Sequence, residues 1–177
     1  MHNGQSLVFD NIETLEQGIN LMEQIDDALY ANNDHRYFRS GTGKHMRHIL
    51  DHYLSFLNAR NGRINYDTRR RDRRLERERV YAIAAAREII GRLRKFGDEQ
   101  QNIDAAVQVN SNRGDQRGEG AAWSASTRQR ELQFLLSHTV HHYALIALTL
   151  RIQGVEPPES FGVAPSTLRF ETAQTSG

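Results

Sequence analysis

The sequence predicts an all-α chain: an antiparallel four-helix bundle with a small irregular or strand-like excursion between helices three and four. Three observations carry this. Ala, Leu, Arg and Glu are plentiful and only three of the 177 residues are proline, a balance that favours helix. Four stretches repeat apolar residues at helical spacing between caps and breakers, at about 14–31, 41–58, 73–96 and 127–153,. Between the last two, residues 98–126 lose that period. A single domain over 1–177 is expected, with a C-terminal tail from 154 to 177; a chain of this length can bury a core without staples.

In the first helix Thr14-Leu15-Glu16-Gln17 can form a capping box, and Leu15, Ile19, Met22, Ile25 and Leu29 make one stripe,. Asp26 falls at the edge of that stripe, and Asn32-Asn33-Asp34-His35 reads as a break that leaves His35 in a loop,. The second helix starts near Ser40-Gly41-Thr42 and turns Met46, Ile49, Leu50, Tyr53, Phe56 and Leu57 to the core. A short connector, Gly62–Asp67, leads to seven arginines between Arg69 and Arg79. Such a run invites a nucleic-acid reading. Asp72, Glu76 and Glu78 are interleaved, however, and Arg74 to Glu78 is an i,i+4 pair, so the run reads as a solvated, charge-laced helix start,. Leu75, Ala82, Ile83, Ala86, Ile89, Ile90, Leu93 and Phe96 then form the third helix, ended by Gly97.

Beyond it, Ala105–Val109 and Ala121–Ser124 read as two short strands joined by the Asn112–Gly120 segment, with Trp123 available to pin the excursion,. Ser126-Thr127-Arg128-Gln129 caps the fourth helix, which Gly154 and Pro157-Pro158 end,. At about 1.5 Å per residue this helix is roughly 40 Å long.

Charge and composition exclude several classes of function. Cysteine is absent, so there is no disulfide, thiolate metal site or cysteine nucleophile,. Net charge is +1, which argues neither for nor against a polyanionic partner,. No apolar run is long enough to span a membrane, and the start, Met1-His2-Asn3-Gly4-Gln5-Ser6, lacks a signal-peptide pattern, so a cytoplasmic location is expected,.

Function is carried by histidine: six of the eight fall in two short clusters. His138 and His142 are four apart, stacked one turn above each other and in line with Leu135, Leu145, Ile146 and Thr149,. An unpartnered ring nitrogen buried in such a stripe costs about 1–3 kcal/mol. A metal ion is an economical partner for two of them, because His-x3-His is a bidentate clamp. The second helix carries His45, His48 and His52. By helical angle His45 and His52 lie close to the Phe56–Ile49 face and His48 at its edge, so periodicity favours His52 or His45 as a third ligand without choosing between them.

The pattern His48-Ile49-Leu50-Asp51 with His138-x3-His142 resembles the DinB-like family of bacterial four-helix metalloproteins. Three further stretches are similar to one branch of it: Gly43–His52, Ile64-Asn65-Tyr66-Asp67-x-Arg69-x-Arg71, and Phe161–Leu168. The resemblance implies a DinB-like four-helix bundle with one divalent ion (zinc, nickel or iron) held by His48, His138 and His142. On that pattern His48 replaces His52 as the third ligand, an offset that helix crossing and side-chain reach absorb. His45, His52 and His141 become pocket or supporting residues. Family members are reported as thiol-transfer enzymes, as domains of iron oxidases making sulfur-containing metabolites, and as proteins of unknown role.

Three neutral imidazoles leave a coordination position open. Thr139 follows His138, so this is no His-Glu-x-x-His protease, and a general base must come from elsewhere: Glu131, two turns before His138, or Asp51 or Asp67,. Tyr66, Arg69 and Arg71 are candidate donors for an anionic group at the pocket mouth. The Phe161–Leu168 tail, stiffened by Pro165, reads either as a cover for that pocket or as a strap docked on the bundle. Two classes of function follow. One is a metal-dependent transferase or hydrolase acting on a small substrate with a low-molecular-weight thiol. The other is a non-catalytic metal- or ligand-binding bundle in stress response. A homodimer is expected, from the family and from Leu132, Leu136, Tyr143 and Leu150 on a flank of helix four away from the histidines.

Overall fold

In the computed structural model, which describes residues 3–33, 35–68, 71–98, 103–110 and 123–175, the first helix, α1, spans Asn3–Gln24. It therefore begins eleven residues before the expected start at Thr14. Val8, Ile12, Leu15, Ile19 and Met22 form its buried face. Asn11 interrupts that face and hides it from a hydropathy reading: it is fully buried, yet its side-chain amide donates to the Leu7 and Leu132 carbonyls and its Oδ1 accepts from the Tyr53 hydroxyl at 2.8 Å. Thr14 lies inside the helix and donates to the Asp10 carbonyl instead of capping. The expected helix 14–31 is in fact two. Asp26 accepts from the Leu29 backbone N–H at 2.7 Å and so caps a separate short helix, α2, Asp27–Ala31,.

The second long helix, α3, spans Thr42–Leu57 and buries Met46, Ile49, Leu50, Tyr53 and Phe56 as its period predicts. Its start is set by packing. A Cβ on Gly43 would lie 2.1 Å from the Glu76 carbonyl oxygen, so only glycine lets α3 meet the one-turn helix α4, Arg74–Arg77, at this distance. The expected helix 73–96 is broken at Glu78, the residue after α4, and resumes as α5, Arg79–Asp98. With Glu78 at the break, Arg74 pairs most closely with Asp72 and the Tyr81 hydroxyl, and Glu78 remains a weaker electrostatic neighbour. Arg69 and Arg70 lie outside the described residues.

The connector Gly62–Asp67 contributes a strand, β1, Arg63–Asn65. It runs parallel to β2, Ala106–Asn110, with Ile64 opposite Val109. β2 runs antiparallel to β3, Ser124–Thr127, with Gln108 opposite Ala125. Of the strand expected at Ala121–Ser124, Ser124 lies in β3, which continues to Thr127. Ala121, Ala122 and the Asn112–Gly120 segment lie outside the described residues. Ile64, Val107 and Val109 are buried, and the Arg63 guanidinium lies over the Trp123 ring.

The last long helix, α6, spans Arg128–Ile152, capped by Thr127, which accepts from the Arg130 N–H. Leu132, Tyr143 and Leu150 are fully buried in their own chain and Leu136 is half-buried, so they do not form the free flank expected of them. The tail adds a helix, α7, Pro165–Thr175. Ahead of it the Phe161–Val163 turn docks as a strap. Phe161 stacks on Tyr143 at 4.5 Å between centroids, and the Gln17 side chain donates to the Val163 carbonyl and accepts from the Gly162 N–H.

The described residues are thus mostly helical, with seven helices and one three-stranded sheet. Of the long helices, α1 packs on α5 and α6, and α3 packs on the same two. The core sits between them. A buried polar chain, Asn11–Tyr53–Thr139, ties α1, α3 and α6 together at one level.

Candidate metal centre

The contact between α3 and α6 brings two histidine pairs face to face. Residues four apart stack on one side of a helix, so His48 and His52 on α3 oppose His138 and His142 on α6. His48 Nε2 lies 3.0 Å from His138 Nε2. The His142 ring meets both edge-on, with centroids 4.6 Å from His48 and 4.5 Å from His138. Each of the three offers one nitrogen, and these nitrogens all lie within 4.8 Å of one another, a group that could hold a metal ion. All three rings are half-buried. Among the described residues no carboxylate joins the group.

The other histidines surround it. His52 is the most buried of the α3 set, 5% exposed, and its Nδ1–H donates to the His48 carbonyl at 2.7 Å. Its ring lies 4.5 Å from His138 and stacks on Tyr66. The helical angle correctly read His52 as the core-facing residue, but the group lies at the seam between two helices, where the edge residue His48 points. His45 Nδ1 faces His142 Nδ1 at 3.0 Å. His141 is exposed, its ring edge-on to His142. Phe134 stacks on His138 and, with Tyr66, completes an aromatic wall.

Electrostatics favour an uncharged ring at His142 and at His45. Burial first, and then the neighbouring His138, His45, His141 and His52, push His142 down to about 3. Burial also lowers His45, against a hydrogen bond to the Ser40 backbone that raises it. A neutral imidazole keeps the lone pair that a metal needs.

None of the acids read as base candidates is a member of the group of three. Glu131 is buried, and its two oxygens accept from the Tyr66 hydroxyl at 2.9 Å and the Ser126 hydroxyl at 2.6 Å. Asp51, 3% exposed, lies 3.8 Å from Arg47, which pairs with Glu76 at 2.9 Å. Asp67 is half-buried, with its backbone N–H held by Asn65 Oδ1. Tyr66 does not stand at a pocket mouth: it is 2% exposed and turned inward to Glu131, because the alternation of β1 carries it to the sheet's buried side,. Arg71 is exposed, and Arg69 is outside the described residues. Sequence reasoning missed the His45–His142 pair and the Ser126–Glu131–Tyr66 cluster. Only the i,i+5 closeness of Ser126 and Glu131 hinted at the latter.

Fold and site together define a mostly helical protein with three convergent imidazoles suited to a metal ion. The chain matches the DinB family over residues 2–167 and belongs to that family. No curated protein and no solved structure matches it.

Proposed function

We propose that this chain is a metal-binding protein of the DinB family in which His48, His138 and His142 hold one divalent ion, zinc, nickel or iron, and that the ion serves transfer or hydrolysis of a small substrate with a low-molecular-weight thiol. The single observation carrying this reading is the convergence of three ring nitrogens within 4.8 Å. The donor set fits. Two of the nitrogens lie 3.0 Å apart, imidazole is a ligand for zinc, nickel and iron, and three such ligands would leave a coordination position open. When bound, such an ion lowers the pKa of a water or holds a thiol as its anion. Burial and the neighbouring rings favour the neutral form of His142, Phe134 stacks on His138, and Tyr66 stacks on His52. The proposal includes one domain over 1–177 arranged as an antiparallel four-helix bundle, supported by the pairwise packing of the four long helices, and a cytoplasmic homodimer. Leu148 and Ile152, exposed on α6, are the apolar residues left for a dimer contact there. Among the described residues no helix is long and apolar enough to cross a membrane.

One observation favours the non-catalytic alternative. Glu131, a candidate base, is already bonded to two hydroxyls, and among the described residues no acid joins the imidazole group. Cobalt(II) substitution separates the readings. A cobalt spectrum that gains a thiolate charge-transfer band on addition of a low-molecular-weight thiol supports the enzyme. A spectrum indifferent to thiol and to pH supports a closed holding site. Failure of the purified protein to retain any divalent ion defeats both.

A further inference from the structure

We infer that His45 is a positioning residue for the imidazole group: it accepts a hydrogen bond from His142 Nδ1–H and so keeps the His142 Nε2 lone pair directed at the ion. The inference rests on the metal-binding reading above and deepens it. The two Nδ1 atoms are 3.0 Å apart, a hydrogen-bond distance, and a pair of neutral rings has only one proton to place between them. If His45 donates, neutral His142 carries its own proton on Nε2, where an ion would have to bind. If His142 donates, Nε2 is free to ligate. The metal-binding reading decides which: an ion on Nε2 requires the one proton of neutral His142 to sit on Nδ1, so across the 3.0 Å contact His45 meets it as the acceptor,.

The local sequence builds this arrangement. His45 lies in the first turn of α3, where its own N–H closes onto the Gly41 carbonyl, which sets its ring beside the Ser40 segment. Three residues on, His48 faces His138, so α3 supplies one member of the group and a support for another. The remaining α3 histidine is tied differently: His52 gives its Nδ1–H to its own helix at the His48 carbonyl. Groups that orient a ligating imidazole typically change metal affinity 10- to 100-fold when removed.

Two substitutions separate acceptance from space-filling. His45→Asn places a carboxamide oxygen near the site of Nδ1, whereas His45→Phe keeps the ring volume and removes the acceptor. Zinc affinity measured by chelator competition is expected to fall about 10- to 100-fold in His45→Phe and to be largely restored in His45→Asn. Nitrogen-15 spectra of the metal-free protein should show His142 as the Nδ1–H tautomer and lose that preference in His45→Phe. Full zinc affinity in His45→Phe, equal losses in the two variants, or a wild-type His142 protonated on Nε2 would overturn the inference. Should wild-type protein bind no zinc, the metal reading fails, and the tautomer of His142 still decides the role of His45.

Discussion

The Tyr66 hydroxyl donates to Glu131 Oε2 at 2.9 Å while the two residues are only 2% and 5% exposed. A carboxylate so deeply placed depends on its donors, and Ser126 supplies the other at 2.6 Å. Tyr66→Phe removes one of them and leaves an under-satisfied buried oxygen, at a cost of about 1–3 kcal/mol. Urea unfolding of the metal-free protein should show that loss with an unchanged slope, while metal affinity stays within a few-fold. A large fall in affinity without a fall in stability would give Glu131 a direct part in the centre.

Substitution in the trio should grade sharply. His142→Ala and His48→Ala are expected to abolish tight zinc binding, because each removes one of three convergent nitrogens,. His141→Ala should leave it largely intact, since that ring is exposed and only edges His142. His52→Ala should cost far less than His48→Ala. Chelator competition on the four proteins checks the order, and a His52→Ala variant weaker than His48→Ala would make His52 the ligand.

How far the sequence could be read follows from the range of each signal. The stacking of His138 on His142 and the buried face of α3 are local, set by one helix's own period, and were legible. The first half of α1 was not, because fully buried Asn11 breaks its stripe and is satisfied by Leu132 and Tyr53, groups remote in sequence. Strand β1 has three residues, too few for an alternation, and exists because Ile64 meets Val109. Tyr66 looked like a mouth residue until Glu131, sixty-five positions away, turned it inward. The choice of His48 over His52 needed the family pattern, since a helix's angle identifies its core side and not its seam with a neighbour.

Acid should weaken the metal-free fold through His142. Its pKa is pushed from 6.5 to about 3 in the folded protein, by burial first and then by neighbouring imidazoles, so the unfolded chain binds the extra proton between those values. Its neutral form therefore supports folding fully above about pH 6.5, and that support is lost progressively as pH falls towards about 3,. Urea midpoints across this window should slope downward with acid, and His142→Gln, which cannot titrate, should flatten part of the slope. An identical slope in the variant would remove His142 as the cause.

The strap should be sensitive to its glycine. Gly162 has φ of +79°, and a Cβ there would lie 3.2 Å from the Tyr143 Cβ, so Gly162→Ala should cost about 1–3 kcal/mol. Phe161→Ala empties the space against Tyr143 and should cost about 3–5 kcal/mol if the site cannot collapse. Limited proteolysis should then cut between α6 and α7 at a lower protease dose than in wild type. Unaltered proteolysis in both variants would show that the strap is held by other contacts.

The separation of the contacting histidines along the chain bears on how the centre is assembled. His48 and His138 lie 90 residues apart, Asn11 and Leu132 lie 121 apart, and Gln17 and Gly162 lie 145 apart. Contacts of such span close large loops and form late. On the ribosome α3 is therefore complete long before α6 emerges, and its own His48 and His52 are an i,i+4 pair. An ion that reaches the growing chain early meets that pair alone. Once α6 has docked, His52 faces Tyr66 and bonds back to the His48 carbonyl, and the convergent nitrogens belong to two helices far apart in sequence. If the group holds an ion, that ion can reach all three nitrogens only after α6 has docked on α3.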